Sequence, residues 1–213
     1  MFIINSPLVE KSELQSNIFL FKIHCPEIAL IIKPGQFLNI RVTQAFFPLL
    51  RRPFSVSDVE GEYIYILFSI FGEGTQILAD KKNGETIDIL GPLGKGFNLD
   101  DDYYTAVIVA GGLGAAPFPF VTRKLQKNKE IISFVGSRTS NEIITYGMEN
   151  VYTASDDGSI GFKGNVVELL KSKNVELINK KIKIFGCGPT PMLKALAEYC
   201  IKMILIVRYP RNV

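Results

Sequence analysis

Three cysteines, one histidine and no tryptophan in 213 residues exclude several kinds of protein at once. Cys25, Cys187 and Cys200 are too few and too scattered for a disulfide framework, which fits a reducing compartment and makes a cytoplasmic location the expectation. No metal ligands are expected, and the single histidine, His24, is expected to be structural. No segment approaches the ~20 consecutive apolar residues that span a bilayer. The start of the chain is no better as a leader, because Asn5, Pro7, Glu10 and Lys11 interrupt Met1 to Leu14 where a secretory signal needs an unbroken apolar stretch. Charge of one sign is also missing. The 24 basic and 21 acidic residues are spread along the sequence, so no concentrated basic face points to nucleic acid.

What the chain does carry is a dense set of glycine turns and one arginine-bearing strand. Arg52-Pro53-Phe54-Ser55 couples a planar fork of donors, suited to a pyrophosphate, to an extended segment on which Phe54 and Ser55 can face a flat ring. Ser55 can hydrogen-bond a ring nitrogen. Downstream, Phe71-Gly72-Glu73-Gly74-Thr75 and Gly91-Pro92-Leu93-Gly94-Lys95-Gly96-Phe97 supply close backbone approach, and a helix predicted over Thr75 to Asp80 offers unpaired amides to phosphate. Each segment taken alone also fits a basic strand end followed by an ordinary capped helix. Together they suggest a bound flavin.

With 213 residues and 47% hydrophobic content the chain is expected to form two domains. Ile18 to Ile23, Gln36 to Val42, Tyr63 to Ser69 and Glu85 to Leu90 mix β-branched and aromatic residues between turn signals such as Pro34-Gly35 and Asn83-Gly84. Short strands at this spacing predict an antiparallel β-barrel over residues 1–99. After Asp100-Asp101-Asp102 the pattern changes. Thr105 to Ala110, Ile131 to Val135 and Ile182 to Phe185 are continuous apolar runs alternating with helical segments, which predicts a doubly wound parallel sheet over residues 100–200. The overall class is thus β plus α/β.

Two glycine turns follow those apolar runs, at the strand ends where ligands of such sheets collect. Gly111-Gly112-Leu113-Gly114-Ala115-Ala116-Pro117 offers a tight turn into a helix, although it is not GxGxxG and glycine is common at any such junction. Gly186-Cys187-Gly188-Pro189 places a thiol at a strand end before a helix predicted over Thr190 to Tyr199. Free cysteine is most often a small buried hydrophobe. Its glycine flanks point instead to something approaching the backbone.

In this order the motifs resemble the ferredoxin–NADP reductase superfamily, and within it the electron-transfer subunits of NAD-linked, type B dihydroorotate dehydrogenases. The likeness rests on Arg51 to Ser55, Phe71 to Thr75, Gly91 to Phe97, Ala110 to Pro117, Ser155-Asp156-Asp157-Gly158-Ser159-Ile160-Gly161-Phe162-Lys163-Gly164 and Phe185 to Met192, and spans about residues 10 to 200. The resemblance implies an FAD site formed by Arg52, Pro53, Phe54 and Ser55, by Leu67, Phe68 and Ser69, and by Gly74 and Thr75. It implies a pyridine-nucleotide turn at Gly111, Gly112 and Gly114, and it gives Ser55 and Cys187 catalytic positions near the reacting rings. Phe68-Ser69 stands where related subunits commonly have Tyr-Arg, so one cationic contact to FAD is expected to be lost.

Nucleotide choice follows from charge. Relatives that use NADP place Ser-Arg residues where this chain has Ser155-Asp156-Asp157, and two carboxylates repel a 2′-phosphate while accepting hydrogen bonds from a ribose diol. NAD is therefore the expected substrate, although in isolation Asp156 to Ser159 also reads as a polar turn. The resemblance further implies a dihydroorotate dehydrogenase catalytic subunit as partner in a heterotetramer, and a role in pyrimidine biosynthesis. It also implies a [2Fe–2S] cluster on four cysteines, and those ligands are absent here. Residues 201–213 are expected to be an atypical tail in place of the iron–sulfur segment, with a shift of reading frame as one origin. Two other functions fit the same motifs: a reductase subunit of another NAD(P)H-linked complex, hydrogenase or ferredoxin-linked, and a flavin-binding subunit that has lost electron relay.

Overall fold

The structure, a computed structural model, describes residues 1–45, 47–177 and 180–208. Its contacts divide into two compact units. One comprises Met1–Asp101, Ala116–Asn128 and Tyr146–Met148; the other comprises Asp102–Ala115, Lys129–Thr145 and Glu149–Val213.

The first unit is a closed six-stranded barrel of β1 (Phe2–Gln15), β2 (Ile18–His24), β3 (Phe37–Arg41), β4 (Arg52–Glu60), β5 (Tyr63–Ser69) and β6 (Thr86–Leu93). Every pairing in it is antiparallel, in the order β1-β2-β5-β4-β3-β6. Closure depends on β1, whose residues 2–7 pair with β6 and whose later residues pair with β2, so one strand serves as both edges. This strand escapes a reading by hydrophobic pattern because Asn5, Pro7, Glu10 and Lys11 dilute its apolar alternation.

Alternate positions on the other strands point inward. Phe21 and Ile23, Leu38 and Ile40, Phe54 and Val56, Ile64, Ile66 and Phe68, and Ile87 and Ile89 form one buried cluster. Each such side chain contributes ~1.5–3 kcal/mol relative to exposure. The short helix α1 (Pro26–Ala29) adds Ile28 and Ala29, and α2 (Glu73–Asp80) adds Leu78 and Ala79.

A third helix, α3 (Phe118–Leu125), also belongs to this unit, where Phe120 joins the same cluster. A register shift between Val56 and Asp58 lets β4 bury three residues in succession. The buried Asp58 accepts a forked set of hydrogen bonds from Arg123 of α3 at 2.6 to 2.8 Å.

The second unit is a five-stranded parallel sheet in the order β10-β9-β8-β7-β11, built from β7 (Thr105–Gly111), β8 (Glu130–Ser137), β9 (Val151–Ser155), β10 (Phe162–Lys163) and β11 (Ile182–Cys187). On one face Val107, Val109, Phe134 and Ala154 meet α4 (Val166–Ser172), through Val166, Val167 and Leu170, and α6 (Thr190–Arg208), through Leu196. The intervening Ala106, Ile108, Ala110, Ile131 and Val135 are also buried, which is why these strands read as unbroken apolar runs. A single turn, α5 (Asn174–Leu177), precedes β11.

Two helix limits differ from the sequence expectation. Helix α2 begins at Glu73 rather than Thr75, because the Thr75 side chain folds back over the start. Helix α6 continues past Tyr199 to Arg208, so residues 201–208 extend it; residues 209–213 lie outside the described residues.

Candidate functional site

The two adjacent arginines of β4 and the loop before it have different fates. Arg51 is locked, its Nη2 donating to Asp88 Oδ1 at 2.8 Å and its Nη1 to the carbonyls of Asn39 and Asp88. Arg52 has only the Leu50 carbonyl as a hydrogen-bond acceptor and no carboxylate among the described residues. It shares the parity of Phe54 and Val56 and lies against the first turn of α2, where a Cβ added to Gly74 would come within 3.3 Å of its Nε. Gly74 therefore leaves the space the guanidinium occupies.

At that helix start the Thr75 hydroxyl accepts the amides of Phe71 (2.8 Å) and Gly72 (3.2 Å) and donates to the Gly72 carbonyl. The amides of Glu73, Gly74 and Thr75 precede the first intrahelical bond, from Gln76 N–H to Gly72 O at 3.0 Å. A free cation beside three open amides and the positive end of a helix forms an anion-binding corner.

The remaining barrel positions separate by parity. The Phe54 side chain, expected to face a ligand, points into the barrel core and meets Phe68 with ring centroids 5.6 Å apart. Phe68 is in the same core and Leu67 is buried too, so these three offer a ligand only backbone. Pro53 is exposed, and the part-exposed hydroxyls of Ser55 and Ser69 have no hydrogen-bond partner among the described residues.

In the sheet unit the two glycine turns end neighbouring strands, since β7 and β11 pair in register from Thr105–Ile182 to Ala110–Cys187. The chain runs from β7 outward to β10 and then returns to the other side of β7, so these two strands flank the switch point where open parallel sheets bind ligands. The turns pack back to back. A Cβ on Gly114 would lie 2.7 Å from Gly188 Cα, and the Cys187 carbonyl is closer still. One on Gly111 would meet Met192 Sδ at 2.6 Å. Gly112 is the opposite case, with φ +52° and nothing within 4 Å of an added Cβ, so its left-handed backbone faces open space.

Cys187 is a part-buried thiol whose pKa is pushed up by burial, so the neutral form prevails at physiological pH. After β9, Asp157 accepts both the amide (2.9 Å) and the hydroxyl (2.6 Å) of Ser159 through Oδ1, and these bonds hold its carboxyl below the usual range. Asp156 is exposed, and its carboxylate has no partner among the described residues. Sequence reading missed Met192 as the wall of the Gly111 turn and the role of Thr75 as a helix-start acceptor.

No family model matches the chain. Among curated proteins it is 35% identical over 198 residues to the dihydroorotate dehydrogenase B (NAD(+)) electron transfer subunit of Bacillus velezensis, covering 88% of this chain and 75% of that one. The chain belongs to that family. The subunit of the same name from Desulforamulus reducens is 36% identical over 189 residues, covering 85% and 71%. Of solved structures, an NADH-dependent reduced ferredoxin-NADP oxidoreductase involved in flavin-based electron bifurcation superimposes with a TM-score of 0.76 at 28% identity, covering 90% of this chain and 70% of that one. Membership gives this electron transfer subunit the ferredoxin reductase-like fold seen here, a barrel followed by a parallel sheet. No helix among the described residues is long and apolar enough to cross a membrane, and no group of three or more His, Cys, Asp or Glu among them could hold a metal ion.

Proposed function

We propose that this electron transfer subunit binds FAD on the barrel and NAD(H) on the sheet, and carries reducing equivalents between NAD and a dihydroorotate dehydrogenase catalytic subunit. The observation that supports it most is Arg52, a cation with no carboxylate partner among the described residues, held against Gly74 at the open first turn of α2. Bound there, FAD supplies a ring that takes up a hydride and releases electrons singly. Arg52 and the amides of Glu73 to Thr75 offset the pyrophosphate charge, and the Ser55 hydroxyl donates to an acceptor of the ring. Phe54, Leu67 and Phe68 contribute backbone, and Pro53 and Ser69 the exposed surface around it.

On the sheet, Gly111, Gly112 and Gly114 give the nucleotide pyrophosphate close approach to the backbone. Asp156 accepts from the adenosine ribose and disfavours a 2′-phosphate. Cys187, as a neutral thiol, packs against the nicotinamide without adding charge. Three cysteines cannot supply the four thiolates of a [2Fe–2S] cluster, so iron relay is not assigned to these residues. The partner is the catalytic subunit, in a heterotetramer. The purified chain should hold about one FAD per polypeptide and show NADH-dependent bleaching of the flavin. With the catalytic subunit added, dihydroorotate should reduce NAD. Absence of flavin from a folded chain refutes the proposal.

A further inference from the structure

A charged pair stands at the end of β8, the strand beside β7. Arg138 follows β8, is 81% exposed at its side chain, and pairs with Glu142 four residues on at 3.1 Å across the 3-10 turn Ser140–Glu142. Its place is set by β9. Ser137 is in register with Ser155, the Asp156 amide donates to the Ser137 carbonyl at 3.1 Å, and the Asp157 amide donates to the Arg138 carbonyl at 3.2 Å. Arg138 and Asp156 are thus neighbours, one and two strands from β7, at ~4.8 Å per strand.

The end of the strand after the first glycine turn is where open α/β sheets read the adenosine ribose, an acid there selecting the free diol and an arginine accommodating a 2′-phosphate. By that rule Arg138, at the end of β8, favours the phosphorylated nucleotide, whereas Asp156, at the end of the neighbouring β9, opposes a 2′-phosphate by charge alone. Asp157 takes no part in the choice. Its carboxylate is held by Ser159, whose hydroxyl also accepts the Ser140 amide at 2.8 Å, so Asp157 anchors the turn on which Glu142 sits.

We propose that the Arg138–Glu142 pair sets nucleotide choice: Arg138 is a latent acceptor for a ribose 2′-phosphate, and Glu142 keeps it occupied. The inference rests on the nucleotide reading of the sheet given above. Glu142 acts as a positioning residue, through Arg138, and Asp156 adds repulsion of its own.

The test is calorimetric titration of the flavin-loaded full chain with two probes, adenosine 5′-monophosphate and adenosine 2′,5′-bisphosphate. In the unmodified chain the monophosphate should bind more tightly. Glu142→Gln should shift the affinity ratio toward the bisphosphate by about tenfold, and that gain should shrink as salt rises. Glu142→Asp should restore the original ratio. In an Arg138→Gln background, Glu142→Gln should move the ratio by less than about twofold, because coupling is lost with either partner. An unchanged ratio in Glu142→Gln, or an equal change without Arg138, overturns the inference while leaving the nucleotide site intact. Failure of both probes to bind the unmodified chain overturns the site and the inference together.

Discussion

In the barrel, the groups open to a ligand are side chains: Arg52 beside α2, and the Ser55 and Ser69 hydroxyls on strand positions that face away from the packed interior. At the glycine turns that end β7 and β11 they are backbone, since Gly111, Gly114 and Gly188 are so closely apposed that no side chain fits between the turns. The difference follows from sheet type. An antiparallel barrel strand buries alternate residues and leaves the others free, as it does Ser55 and Ser69, and its open end frees Arg52, the first residue of β4, whereas strands buried on both faces have nothing to offer until the sheet stops and a turn begins. The barrel site should therefore respond to changes of charge, and the two glycine turns to changes of volume.

The largest effect expected is steric. Gly114→Ala drives a methyl into the Cys187–Gly188 backbone and should cost about 3 kcal/mol of stability, at the upper end of overpacking. Chemical denaturation reads it, and Gly112→Ala is the control: it meets no neighbour and should lose only the ~1–2 kcal/mol that a left-handed backbone costs an L residue. Equal losses at the two positions would break the comparison.

The next effect is electrostatic. Arg52→Ala should weaken FAD retention by about 2 kcal/mol, the scale of a lost charge-assisted contact, with thermal stability of the flavin-free chain nearly unchanged. Arg51→Ala should do the reverse, lowering stability by about 1 kcal/mol through the Asp88 pair and its two carbonyl bonds while leaving flavin affinity alone. Flavin content after gel filtration, set beside melting curves of flavin-free protein, separates the two. Similar behaviour of both variants would remove Arg52 from the site.

Smaller again is nucleotide preference. The unmodified chain should be reduced faster by NADH than by NADPH, and replacing Asp156-Asp157 by Ser-Arg should narrow that ratio by about tenfold, or ~1.4 kcal/mol. Asp156→Ser alone should produce most of the change, since Asp157 is already engaged by Ser159. Stopped-flow flavin reduction measures it, and faster reduction by NADPH in the unmodified chain would refute the assignment.

The smallest effect is set by pH. Hydrogen bonds from Lys180 and then Thr105 hold the Glu130 carboxyl below its ordinary value, so this group stabilises the fold fully above the ordinary glutamate range. That contribution should fade as pH falls from there through the lower native value. Glu130→Gln should flatten the melting profile over that acid window only.

Much of this was legible in sequence for a physical reason. Unbroken apolar runs that alternate with helical segments and end at glycine indicate buried parallel strands ending in turns, and short β-branched and aromatic stretches between turn residues indicate a small barrel. Those patterns are local, and they held at β5 and along the interiors of β7, β8 and β11. Strand β1 was not legible, because its pairing with both β2 and β6 depends on partners about 80 to 90 residues away as well as on neighbours. Nor was the division of labour between Arg51 and Arg52. Two identical side chains side by side in sequence differ only in what the fold brings to each, Asp88 to one and Gly74 to the other. The same holds for Asp156 and Asp157, where a hydroxyl two residues on takes one carboxylate and leaves the other open. Composition and periodicity determined which elements form, because each residue carries its own preference for backbone and burial. Tertiary structure alone decided which polar groups are free, because that depends on the partners a closed barrel and a stacked pair of turns supply.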